Sequence, residues 1–77
     1  MQSQSRFDPG DRIVVWISPR KDVYEGDSGT VIKIEPPQPN GTDVWRVTAI
    51  LDTGIKLNEC YEGIFVRESD YDPNIPF

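Results

Sequence analysis

The side chains in this sequence best able to do chemistry are carboxylates and tyrosine hydroxyls. Asp22, Glu25 and Asp27 surround Tyr24, and Glu59, Glu62, Glu68, Asp70 and Asp72 follow in a stretch whose one base is Arg67. Carboxylates gathered in a loop suit a hard cation such as calcium, but Asp22, Glu25 and Asp27 lack the spacing of an EF-hand loop. They read instead as a solvated loop able to meet a basic partner. Histidine is absent, and Cys60 is the single cysteine. That excludes an internal disulfide and leaves no expected zinc or haem ligand set. Without a histidine partner nothing lowers the pKa of Cys60, and neither a glycine-rich phosphate loop nor a serine elbow occurs. The residues therefore predict a non-enzymatic protein with no cofactor and no metal.

Partner chemistry follows from the charge balance. Eight Lys and Arg against thirteen Asp and Glu give a net charge of -5. Such a chain repels phosphate backbones and favours a protein with a basic surface. Arg20 and Lys21 are the only adjacent basic pair, and acids flank them; nucleic acid is the lesser expectation. Exposed aromatics beside polar groups supply most of the energy at protein interfaces. Tyr24, Tyr61 and Tyr71 are the expected anchors, with Trp16 divided between covering the core and binding and Trp45 inclined to the core.

Elements must position these side chains, and seventy-seven residues suffice for one small domain. No apolar run is long enough to span a membrane, and MQSQSRFDPG has neither the basic end nor the apolar stretch of a signal peptide, so a cytoplasmic setting is expected. No helical periodicity stands out; short β-branched and aromatic runs separated by turn residues predict an all-β domain. The strands are expected at 12–17 with Ile13, Val15 and Ile17 on one face, at 30–35 with Ile32 and Ile34 together, and at 44–51 with Trp45, Val47, Ala49 and Leu51 inward. Further strands are expected at 55–59 and 63–67. Asp52-Thr53-Gly54 reads as a three-residue hairpin with its glycine left-handed, and 68–71 as a single helical turn. Gly26 and Gly29 are expected where the first loop turns tightly into the second strand. Residues 1–8 and 72–77 read as flexible tails around a domain at 9–71. Pro36 and Pro39 stiffen a loop rather than form a polyproline ligand, and Asn40-Gly41-Thr42 reads as a turn rather than a glycosylation acceptor.

Five short strands with a long first loop, a medium second loop and a tight third hairpin form a small barrel, and here the pattern resembles a family. DVWRVTAILDTG is similar to the tryptophan-bearing third strand and distal hairpin of SH3-like barrels, and GIFVRESDY to their glycine-led return with a tyrosine in the last helical turn. Pro9-Gly10-Asp11-Arg12 and Gly26-x-x-Gly29-Thr-Val resemble bacterial SH3-like and KOW-type barrels, the likeness covering about 9–71. The first strand RIVVWI and Val44 set the chain apart from peptide-binding eukaryotic SH3 domains. The resemblance implies a five-stranded SH3-like barrel that works by binding: an accessory subunit or adaptor docking onto a larger complex, or a phage-type inhibitor whose acids imitate DNA phosphates. A KOW-like nucleic-acid or ribosome-associated module is the alternative. The expected contact surface comprises Trp16, Asp22, Tyr24, Glu25, Asp27, Tyr61, Glu62, Asp70 and Tyr71.

Overall fold

The computed structural model describes residues 5–38, 44–72 and 74. All five strands are antiparallel members of one sheet: β1 (Arg12–Val15), β2 (Ser28–Glu35), β3 (Arg46–Leu51), β4 (Lys56–Tyr61) and β5 (Phe65–Arg67), in the order β4-β3-β2-β1-β5. Single 3-10 turns at Glu62–Ile64 and Glu68–Asp70 flank β5, and the second of them is the expected helical turn. The domain is all-β, as the alternation predicts.

One sheet without a second layer buries a core only by curling over itself. Every strand contributes to a single cluster: Ile13 and Val15 from β1, Val31 from β2, Val47, Ala49 and Leu51 from β3, Leu57 from β4 and Phe65 from β5. The curl has a local cause. The β2–β3 register shifts between Val31 and Lys33, and the β3–β4 register between Val47 and Ala49, so both neighbours of β3 carry an extra residue at the level of Thr48. A bulge bends its strand and increases twist; two facing the same point on β3 fold the sheet there. Its edge strands, β4 and β5, are not paired with each other, so the sheet is open rather than a closed barrel.

The bulges also correct the expected faces. Ile32 is the extra residue of β2, which leaves it 42% exposed while Val31 enters the core. Thr48 points away from Val47 and Ala49 by alternation, yet it is buried, and its hydroxyl is satisfied by the Glu59 N–H at 3.0 Å, where Glu59 takes a φ of 49°. Strand β1 is shorter than expected and ends at Val15; the Trp16 and Ile17 amides both donate to the Ile64 carbonyl, at 2.7 and 3.1 Å, and Ile17 points outward. Gly54 takes the left-handed φ of 99°, with Leu51 N–H bonded to Ile55 C=O at 2.8 Å, as a three-residue hairpin requires.

Among the described residues two members of the core lie outside the strands. Val23 anchors the first loop in the core, and Phe7 is only 3% exposed. The core thus begins before residue 9, and the described part of the expected N-terminal tail packs onto the sheet. Pro39 and Asn40-Gly41-Thr42 lie outside the described residues.

Candidate functional site

The first loop and the C-terminal segment meet. Asp27 shapes the loop: its carboxylate accepts the Tyr24 N–H at 3.0 Å and its own N–H donates to the Tyr24 carbonyl at 3.0 Å. Gly26 crosses this turn at a φ of 97°, a conformation that side chains other than glycine disfavour. Its N–H donates to the Val15 carbonyl at 2.8 Å, while Val15 N–H returns to Asp27 C=O at 2.8 Å, which fastens the loop to β1. A side chain at Gly26 would start 3.2 Å from the Tyr71 hydroxyl. Tyr71, carried out of the second 3-10 turn, thereby seats on the loop.

That seating also accounts for Val14. By alternation it points away from Ile13 and Val15 and stands outside the core cluster, yet it is 2% exposed. The segment after β5 crosses this outer face: Glu68 reaches Arg12 at 3.2 Å at one end and Tyr71 reaches Gly26 at the other.

Ion pairing determines which acids remain free to bind. Asp22 pairs with Arg20 at 2.7 Å, Glu59 with Arg46, and Glu68 with Arg12, which also holds Asp52 at 2.6 Å. The Arg12 hydrogen bond holds the Asp52 carboxyl below the usual carboxylate range. Glu62 is buried, and one of its oxygens accepts both the Ser5 hydroxyl at 2.8 Å and the Arg6 N–H at 3.0 Å. It is a structural acceptor. Asp27 is committed to its turn. Exposed Glu25 and Asp70 are left on the joined loop and C-terminal segment, outside any ion pair among the described residues, with half-buried Asp72, which accepts the Asn74 N–H at 2.8 Å. Beside them Tyr24 is 68% exposed.

The remaining expected residues gather elsewhere. Tyr61 closes β4, with its ring over Gly63; a side chain there would meet the ring Cζ at 2.6 Å. Trp16, half-buried, bonds through its N–H to the next residue, Ile64. Trp16 and Tyr61 thus flank one turn, whereas Tyr71 meets the loop that carries Tyr24 and Glu25, and Asp70, one residue before it, lines a depression with Arg6 and Arg67.

The sequence reading did not foresee a groove of about 520 Å³ whose lining includes Phe7, Ile34, Trp45, Arg6 and Arg67. Its signal was Phe7 itself, the one large apolar residue after Met1 in an otherwise polar N-terminal stretch. Among the described residues no cluster of three or more acidic or cysteine side chains is placed to hold a metal ion. Burial pushes the Cys60 thiol above its ordinary value, the direction opposite to activation. Among the described residues no helix is long and apolar enough to cross a membrane. No family model, curated protein or solved structure gives a match to the chain.

Proposed function

We propose that this is a non-enzymatic protein-binding module whose acidic, tyrosine-bearing face receives a basic surface of another protein. One observation carries the reading: Tyr71 on Gly26 joins the first loop, with Tyr24 and Glu25, to the C-terminal segment, with Asp70 and Asp72, and none of these three acids is in an ion pair among the described residues. An exposed tyrosine supplies anchoring area at low entropic cost, while rim carboxylates steer encounter and select the sign of the partner. Within this class the roles of accessory subunit, adaptor and phosphate-mimicking inhibitor share the same surface chemistry, and a cytoplasmic setting suits all three.

The KOW-like alternative needs a basic stripe. Five of the eight Lys and Arg side chains are already in ion pairs, namely Arg12, Arg20, Lys33, Arg46 and Arg67. Chromatography on immobilised DNA and on heparin at low salt tests the choice. The protein-binding reading expects flow-through from both; retention that falls steeply with salt and is abolished by Arg20→Glu with Lys21→Glu would favour the alternative.

A further inference from the structure

Residues 5–7 are fastened to the domain in the way a bound peptide is fastened to its receptor. Among the described residues no strand pairs with them. Their bonds to the rest of the domain come instead from two side chains that reach both main-chain groups of Arg6. Its N–H donates to a Glu62 oxygen at 3.0 Å, and its carbonyl accepts from Arg67 Nη2 at 2.6 Å. The same Glu62 oxygen takes the Ser5 hydroxyl at 2.8 Å, and the Arg67 guanidinium carbon lies 5.7 Å from the centroid of the Phe7 ring. Asp11, 3.0 Å from Arg67 Nη1, holds the guanidinium in place. Glu62 is 8% exposed, so the acceptor is built into the domain.

Phe7 fills an apolar slot beside two hollows. The groove of about 520 Å³ and a depression of about 180 Å³, reaching Phe65 and Val66, are both lined by Arg6, Phe7 and Arg67. The connection to β1 is an exposed turn, Pro9-Gly10, in which Gly10 has a φ of 96° and donates its N–H to the Val31 carbonyl at 2.7 Å.

We infer that Glu62, Arg67 and the Phe7 slot form a peptide site for a Ser-x-Phe segment, occupied in cis by residues 5–7 and able to accept the same segment from a second copy of this chain. A second copy is the occupant because it offers every contact the cis segment makes, so exchange trades identical interactions across the exposed Pro9-Gly10 turn. A short tether gives the cis segment an effective concentration on the order of millimolar. The wild-type chain at micromolar concentration is therefore self-occupied, and the trans mode shows once the cis ring is removed.

The test uses the full chain carrying Phe7→Ala and an end-blocked peptide spanning residues 5–9, followed by tryptophan fluorescence, since Trp45 lines the groove. Saturable binding is expected, weakened about tenfold by Ser5→Ala in the peptide and lost with Phe7→Ala in the peptide. A folded variant that shows no saturable signal up to millimolar peptide, or that binds both altered peptides equally, would overturn the proposal. Should Phe7→Ala fail to fold, native-state hydrogen exchange of the wild type decides. The Arg6 amide should exchange about a hundredfold faster than that of Val47, through an opening insensitive to low denaturant; equal rates for the two would overturn the proposal.

Discussion

At Gly29 the absent side chain is what lets β2 lie against β3. A Cβ there would stand 2.7 Å from the Ile50 carbonyl oxygen and 2.9 Å from Leu51 Cα, both main-chain atoms that cannot move aside. Gly10 has open space and only a φ of 96° to accommodate. Gly29→Ala should accordingly lower unfolding free energy by about 1–3 kcal/mol, and Gly10→Ala by about 1 kcal/mol, in urea titrations; the reverse order would contradict the packing. The sequence predicted that both Gly26 and Gly29 were required, but only Gly26 has the positive φ; Gly29 answers a close approach between strands, which letters alone do not reveal. Cys60 gives a second residue-scale prediction. Burial favours its neutral form and raises its pKa, so alkylation should be slower than for free cysteine at pH 8 and still climb where a free thiol has levelled. A plateau below pH 8 would mark an activated thiolate and reopen an enzymatic reading. The linkage sign follows: with the folded value raised, the contribution to stability is full below the unfolded thiol's pKa and is lost as pH rises through the folded one.

Among the elements, the hairpin was legible because Asp52-Thr53-Gly54 carries its own turn chemistry, and β3 because its alternation matches one buried face. Ile32 and Ile17 were misplaced for a common reason. A bulge in β2 and the early end of β1 are set by hydrogen bonds to partners distant in sequence, Thr48–Ala49 for one and Ile64 for the other. The Arg12 cluster is a third such device, since it ties β1 to the hairpin through Asp52 and to the second 3-10 turn through Glu68. Because the Arg12 bond lowers the Asp52 pKa, its contribution is present above the unfolded carboxylate value and disappears as pH falls through the folded one. Arg12→Ala should therefore be less stable than wild type near neutrality, with the difference shrinking in acid and in high salt. A difference that persists unchanged in acid, measured by thermal melts across pH, would show that Arg12 acts through packing.

On the scale of the whole molecule, the net charge of -5 is legible in the sequence, but which acids stay unpaired is not. Among the acids the sequence singled out, ion pairs withdraw Asp22, Glu59 and Glu68, burial withdraws Glu62, and the Tyr24–Asp27 turn withdraws Asp27. No spacing rule announces those commitments, since each joins side chains whose proximity the fold creates. What remains is the face built by Tyr71 on Gly26, where Glu25 and Asp70 are exposed. The most direct test is affinity capture from an extract of the source cells with three full-length baits: wild type, Glu25→Lys with Asp70→Lys, and Lys21→Glu with Lys56→Glu as a charge control on the free lysines. The account predicts a partner with a basic surface that binds wild type and the control, and that loses affinity at least about tenfold for the double acid reversal. A specific partner retained equally by all three baits would contradict it.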